Sequence, residues 1–143
     1  MLYVIKSLSD PLLCCVKDDP VRPDIPLDFR VSKDNEVLVL IEDNQPKAVV
    51  CVAYRDFVPR DVPELFENST NPSVAVFYTI WSYSPGAGRD LIIEARANLP
   101  KTKPNLKRFV TLSPQTEMAR KFHLRNGATI LRENTDSVNY EYA

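Results

Sequence analysis

The feature that most restricts the fold is a strand that passes through a glycine turn directly into a helix. Ser73 to Tyr83 is rich in β-branched and aromatic residues, which predicts the longest strand of the chain. Gly86 and Gly88 follow it, and residues 89–99 then repeat apolar side chains at helical spacing, with Pro100 expected to end the helix. This order predicts a sheet covered by helices.

Glycine is rare in this chain, which has three glycines where an average chain of this length has about 10. A glycine turn before a helix leaves backbone N–H groups free beside the positive end of the helix dipole, and such groups bind phosphate oxygens. The turn at Gly86 and Gly88 lacks the Gly-Lys-Ser/Thr of a Walker loop and the third glycine of a dinucleotide fingerprint. It therefore predicts a phosphate site of another kind, although such turns also occur for purely structural reasons.

Other segments predict further strands and a second helix. Strands are expected at 36–41, 48–54, 106–112, 128–131 and 138–142. The second helix is expected to begin at Ser113 and to end at Asn126-Gly127, and a weaker helix is expected around 8–16. The second helix is predicted to have an apolar stripe formed by Met118, Ala119 and Phe122. The pattern predicts one α/β (α+β) domain over residues 1–143, with a mixed, mostly antiparallel sheet flanked by helices.

The composition is that of an ordinary globular protein, with 44% hydrophobic and 26% charged residues. No apolar run approaches the roughly 20 residues of a membrane span, and no secretory leader is visible. The net charge of −1 gives no overall case for nucleic-acid binding, although residues 89–126 hold 9 basic and 3 acidic side chains. This basic segment is either an ordinary solvated surface or a binding site for a compact polyanion. The three cysteines suggest no disulfide framework, so we expect a cytoplasmic protein.

Two polar residues are candidates for chemistry. His123 is the single histidine, and the absence of a second histidine or a cysteine pair at ligand spacing argues against a metal site. Ser113, which precedes the histidine helix, is placed to face His123 across the junction between strand and helix. Structural roles remain open for both: a hydrogen-bonded core histidine, and a serine at the start of a helix.

The order of these elements resembles the GNAT (N-acetyltransferase) superfamily over residues 36–142. That family shows Gln/Arg-x-x-Gly-x-Gly/Ala at the turn that cradles the pyrophosphate of coenzyme A, and here both glycines match while Tyr83 replaces the Gln/Arg. His123 stands where the family often has a proton-donating tyrosine. The resemblance implies a coenzyme A or acyl-CoA substrate, with these residues against it: Trp81, Tyr83, Ser84, Gly86, Ala87, Gly88, Arg89 and Phe122. Packing roles in the core or at the rim remain open for Trp81 and Tyr83.

Three short sequence segments are similar to one branch of this superfamily, malonyl-CoA decarboxylase. They cover residues 76–80, 109–114 and 122–128. The resemblance implies that His123 is the catalytic histidine and that Ser113 is the catalytic serine. The two residues are ten positions apart, as in a plain acetyltransferase, whereas the decarboxylases have a long segment between them.

Three functions therefore remain open. Decarboxylation of malonyl-CoA is favoured for two reasons: the similar segments that end at Ser113-Pro114 and at Ala128, and the absence of Asp or Glu from Ser73 to Tyr83, where many acetyltransferases place a base. Transfer of an acetyl group to a small amine is the alternative, with Glu42, Asp56 or Asp61 as possible bases. The third is a module that binds CoA without catalysis.

Overall fold

The computed structural model describes residues 1–143, which form one eight-stranded sheet with helices on both faces. The strands are β1 (Leu2–Ile5), β2 (Asn35–Glu42), β3 (Gln45–Arg55), β4 (Val74–Ser82), β5 (Arg108–Thr111), β6 (Ser113–Pro114), β7 (Thr129–Glu133) and β8 (Ser137–Tyr142). The sheet order is β1-β2-β3-β4-β5-β8, and β6 and β7 also pair with β8. The pairing of β4 with β5 is parallel and every other pairing is antiparallel, so the predicted mixed, mostly antiparallel sheet is confirmed.

Two cores of similar size cover the two faces of the sheet. The helices are a 3-10 helix (Pro11–Asp18), α1 (Leu27–Arg30), α2 (Val62–Leu65), α3 (Ala87–Thr102) and α4 (Glu117–Arg125). Nineteen buried residues, from α3 and from β2 to β4 among others, form one core, and seventeen around the 3-10 helix form the other. No helix has the combination of length and apolarity that crossing a membrane requires.

The β2–β3 hairpin follows the sequence prediction closely. Asp43 and Asn44 adopt left-handed φ angles of 54° and 62°, as the two central residues of a tight hairpin turn require. The turn places Val39 opposite Val49, so that both flanking strands lie buried in the middle of the sheet.

The strands β4 and β5 separate halfway along β4, and this separation positions the candidate site. They pair from Val74 to Phe77 only, and the last contact is a hydrogen bond of 3.0 Å from the Leu112 N–H to the Phe77 carbonyl. On the other edge, Cys51 pairs with Thr79 while the next residue of β3 pairs with Phe77. Tyr78 is therefore the extra residue of a β-bulge, which bends β4 where it loses its partner.

The predicted end of the first helix at Pro100 is wrong, as is its predicted start at Arg89. The helix begins at Ala87 behind Gly86, whose φ is +79°, and it continues to Thr102. Pro100 removes one N–H donor, but the last turn still closes through a hydrogen bond of 2.8 Å from the Lys103 N–H to the Leu99 carbonyl.

The predicted start of the second helix at Ser113 is also wrong. Ser113 and Pro114 pair with β8, and α4 begins at Glu117 because the Thr116 hydroxyl caps the Ala119 N–H. Met118 is predicted in an apolar stripe, yet its side chain is 83% exposed. The weak helix around 8–16 is a 3-10 helix that starts later, at Pro11, because the Asp10 carboxylate caps the Leu12 N–H.

Candidate active site

A cavity of about 350 Å³ occupies the gap between β4 and the segment that follows β5. The open half of β4, residues 77–82, forms one wall, and α4 and the start of α3 form another. Five residues predicted from the sequence line this cavity: Trp81, Gly88, Ser113, Phe122 and His123. The fold therefore brings the end of the long strand, the glycine turn, the serine and the histidine to one place, although they come from four elements: β4, α3, β6 and α4.

The glycine turn presents unpaired backbone donors beside the cavity. The N–H groups of Gly86, Gly88 and Arg89 have no acceptor in the protein, and they lie at the positive end of the sixteen-residue helix α3. Such an arrangement can bind phosphate oxygens. The Arg89 side chain is exposed and makes only a long contact of 3.8 Å with Asp90, so its charge is available at the same end of the helix.

Gly88 allows α3 and α4 to approach each other at the edge of the cavity. A Cβ atom at this position would lie 3.1 Å from the Phe122 ring, which is tighter than ordinary packing. Gly86 meets nothing within 4 Å, and its positive φ is the reason for glycine there. Glycine is therefore needed at the two positions for different reasons: the backbone conformation at Gly86 and the close contact with Phe122 at Gly88.

His123 lies almost fully buried with its ring fixed by two tyrosines. Its Nδ1 atom is 2.7 Å from the Tyr142 hydroxyl, and its ring stacks on Tyr140 with centroids 5.0 Å apart. Burial lowers the pKa of His123 from 6.5 to about 4, so the imidazole is neutral at pH 7 in the free protein. When the tyrosine hydroxyl donates to Nδ1, the ring proton lies on Nε2, which has no partner in the protein.

Ser113 lines the same cavity but is not hydrogen-bonded to His123. Its hydroxyl donates to the Thr111 hydroxyl oxygen at 2.7 Å, and that oxygen also accepts the Tyr140 N–H at 3.0 Å. The serine is 4% exposed and stands in β6 rather than at a helix start. Ser113 therefore forms part of the cavity wall, while Tyr142, not Ser113, contacts the imidazole.

The remaining predicted residues surround the cavity rather than line it. Tyr83 donates its hydroxyl hydrogen to the Asp18 carboxylate at 2.8 Å and accepts the Trp81 ring N–H at 3.2 Å. These contacts fasten the end of β4 to the 3-10 helix. Ser84 and Ala87 shape the turn, since the Ala87 N–H donates to the Ser84 carbonyl at 3.2 Å.

Several site residues were missed by sequence reasoning. Tyr140 and Tyr142 had a usable signal, because residues two apart on a predicted strand face the same side. These two tyrosines contact His123 but do not line the cavity. Pro20 and Val21 do line it, and nothing in their local sequence indicates this. None of the acidic candidates Glu42, Asp56 and Asp61 lines it, and Asp61 instead caps the Glu64 N–H of α2.

Known structures share this architecture at low sequence identity. No protein-family model and no curated protein matches the chain. The malonyl-CoA decarboxylase of Rhodopseudomonas palustris matches all of this chain and 59% of its own, with a TM-score of 0.74 and 18% identity. That of Agrobacterium vitis matches 85% of this chain and 35% of its own, with a TM-score of 0.69 and 22% identity. The PaiA N-acetyltransferase of Thermoplasma acidophilum, solved in complex with coenzyme A, matches 99% of this chain and 98% of its own, with a TM-score of 0.62 and 11% identity.

These matches show that the chain has the GNAT fold. Within that fold it resembles malonyl-CoA decarboxylase structures as well as N-acetyltransferases of its own size. The chain spans between 33% and 59% of the length of the three decarboxylase chains that it matches.

Proposed function

We propose that this protein is an enzyme that acts on an acyl-CoA thioester and that it releases CO₂ from malonyl-CoA. The observation that carries the proposal is the cavity between β4 and β5, which joins the unpaired N–H groups of the glycine turn to Ser113 and His123. The pyrophosphate of coenzyme A would bind at Gly86, Gly88 and Arg89, and the acyl group would lie deeper in the cavity.

Backbone donors on the open edge of β4 suit the thioester oxygen. The Tyr83 N–H donates to the Lys47 carbonyl on β3 at 2.8 Å. Because neighbouring residues of a strand direct their N–H groups to opposite edges, Ile80 and Ser82 direct theirs toward the cavity. Such donors stabilise the negative charge that develops on a thioester oxygen when an enolate forms.

In the proposed decarboxylation, the bond between the α-carbon and the carboxylate breaks, and its electron pair forms the thioester enolate as CO₂ leaves. Burial lowers the pKa of His123 to about 4 in the free protein. A nearby negative charge favours the protonated imidazole, so we expect the ring to take up a proton from solvent when malonyl-CoA binds. His123 then gives this proton to the α-carbon, which yields acetyl-CoA, and solvent restores the proton. Ser113 would hold the departing carboxylate.

Acetyl transfer to a small amine is the second candidate, because an N-acetyltransferase matches the chain over nearly its whole length. That reaction needs a base to deprotonate the amine, yet no Asp or Glu lines the cavity. His123, with its pKa lowered to about 4, is a weak base for an ammonium group. Binding of CoA without catalysis is the third candidate, and the open Nε2 of His123 argues against it.

Labelled malonyl-CoA tests the proposal directly. We expect release of labelled CO₂ and formation of acetyl-CoA with no amine present. If no CO₂ appears, but acetyl-CoA is consumed after a panel of polyamines, amino acids and peptides is added, the protein is an acetyltransferase. If neither reaction occurs while CoA still binds, the module without catalysis is correct.

A substitution at Gly88 is expected to abolish CoA binding. Valine at this position would force the Phe122 ring, 3.1 Å from the first added carbon, toward the cavity. At 100 times its dissociation constant, CoA should stabilise the wild-type protein by about 2.7 kcal/mol, and Gly88→Val should lose this gain. Differential scanning calorimetry with and without CoA measures it.

The matched control is Ala97→Val, which adds a β-branched side chain to the same helix at an exposed position. It should keep the full gain from CoA. Gly86→Val is a poorer test, because a β-branched residue at a φ of +79° strains the turn itself. Equal stabilisation of Gly88→Val and wild type by CoA would contradict the proposed site.

A further inference from the structure

Residues 19–22 form a segment that crosses the gap between β4 and the chain after β5. The Arg22 guanidinium donates to the Tyr78 carbonyl on one side of the gap and to the Leu112 carbonyl on the other, both at 2.9 Å. The Leu112 N–H also makes the last hydrogen bond between the two sides, to the Phe77 carbonyl. This crossing segment therefore lies at the closed end of the gap, whereas the glycine turn follows the open end of β4.

The crossing segment approaches the gap from the sheet face opposite to α3 and α4. It directly follows the 3-10 helix, whose buried residues belong to the core on one face, whereas α3 and Phe122 of α4 belong to the core on the other. Pro20 and Val21 nevertheless line the same cavity as Phe122 and Gly88. The cavity therefore extends through the gap in the sheet, and Pro20 and Val21 form its far wall.

Hydrogen bonds of one buried carboxylate hold this far wall in place. The Asp19 carboxylate accepts the N–H groups of Val21 at 2.8 Å and of Arg22 at 3.0 Å. It also accepts the Thr79 hydroxyl of β4 at 2.9 Å. Arg30 forms an ion pair of 2.7 Å with it, and both charged side chains are 1% exposed. Because breaking a buried ion pair is strongly unfavourable, the wall cannot move aside without a large cost.

Val21 is the branched side chain of this wall. It is half-buried, yet it belongs to neither of the two cores, so its methyl groups are part of the cavity wall. The whole cavity measures about 350 Å³, near the lower end of the range of about 300–1,000 Å³ for ligand pockets. It must hold the arm of coenzyme A that enters from the glycine turn as well as the acyl group. Little length is therefore left for the acyl group before it meets Val21.

We propose that Val21 sets an upper limit on the length of the acyl group, so that the cavity takes acetyl and malonyl groups and rejects longer chains such as hexanoyl. This inference rests on the proposed acyl-CoA function and adds a size limit to it. In a pocket with fixed walls, one extra methylene changes binding by about 10-fold or more. The hydrogen bonds of Asp19 supply such a fixed wall.

Binding of three probes to the whole protein tests this assignment: CoA, acetyl-CoA and hexanoyl-CoA. None of them carries a carboxylate that can leave as CO₂, so equilibrium titration is possible, and the fluorescence of Trp81, the only tryptophan, reports binding in the cavity. The wild-type protein should bind acetyl-CoA about 10-fold or more tightly than hexanoyl-CoA. Val21→Ala removes both methyl groups of the side chain and should strengthen hexanoyl-CoA binding by about 10-fold. Its affinity for CoA and acetyl-CoA should stay within a few fold of wild type.

Two matched variants separate size from other effects. Val21→Thr keeps the shape of the side chain and should still reject hexanoyl-CoA. Val31→Ala makes the same truncation at a half-buried valine that does not line this cavity, and it should also leave the rejection unchanged.

The outcomes distinguish this inference from the function on which it rests. Equal wild-type affinity for acetyl-CoA and hexanoyl-CoA would overturn the size limit, while release of CO₂ from malonyl-CoA would still support the proposed function. Undiminished rejection of hexanoyl-CoA by folded Val21→Ala would also overturn the inference, as would an equal gain in Val31→Ala. Absence of binding by every probe would overturn both proposals.

Discussion

Replacing His123 with asparagine is expected to lower kcat for CO₂ release from malonyl-CoA by about 100-fold or more, the usual contribution of a general acid or base. The imidazole is the one basic side chain that lines the cavity, since the other titratable group there is the buried phenol of Tyr78, whose pKa is raised by burial. Asparagine keeps a polar atom near the Tyr142 hydroxyl, so the pocket should retain its shape. Initial rates of labelled CO₂ release measure the change.

Affinity for CoA should remain within a few fold in His123→Asn, because the glycine turn is untouched. Tyr142→Phe is the graded companion variant, since it removes only the hydroxyl that lies 2.7 Å from Nδ1. It should lower kcat less than His123→Asn and should alter its pH dependence, because the ring loses the contact that orients it. Undiminished turnover in His123→Asn would mean that the histidine has a purely structural role.

Acid should destabilise the folded protein strongly through the same histidine. Burial lowers the pKa of His123 from 6.5 to about 4 in the folded state, while the unfolded chain keeps the ordinary value. Between these pH values the unfolded state binds more protons, so the free energy of unfolding falls as the pH drops from about 6.5 to about 4. The loss is about 3 kcal/mol, and it is complete once the pH is below the folded pKa.

Urea unfolding at pH 7 and pH 4 measures this loss, and His123→Asn is the control. Other groups also contribute to the pH dependence of stability. Arg60, for example, lowers the pKa of Glu64 to about 2, and it does so in both proteins. The difference between the two proteins therefore isolates His123, and His123→Asn should lose about 3 kcal/mol less. Equal losses would mean that the folded protein protonates His123 as readily as the unfolded chain does.

Local chemistry determined most of the sheet and the turn that precedes α3. Branched and aromatic residues formed β2, β3 and β4 close to their predicted bounds, because their side chains pack well on a pleated sheet. Gly86 adopts the positive φ that only glycine adopts freely, so a glycine at this point of the sequence is enough to predict the turn. The sequence segments around Ser113 and His123 indicated the GNAT fold, which the comparisons with known structures confirm.

The tertiary structure alone decided the contacts that give the site its chemistry. Pro100 remains inside α3 because a neighbouring hydrogen bond and the buried Leu99 outweigh its lost N–H. Tyr142 reaches His123 from 19 residues away, and Arg22 reaches Leu112 from 90 residues away. Periodicity and spacing describe neighbours along the chain, whereas these contacts depend on how the sheet and its loops close around one gap. The lowered pKa of His123 is a consequence of burial, and burial is a property of the whole fold.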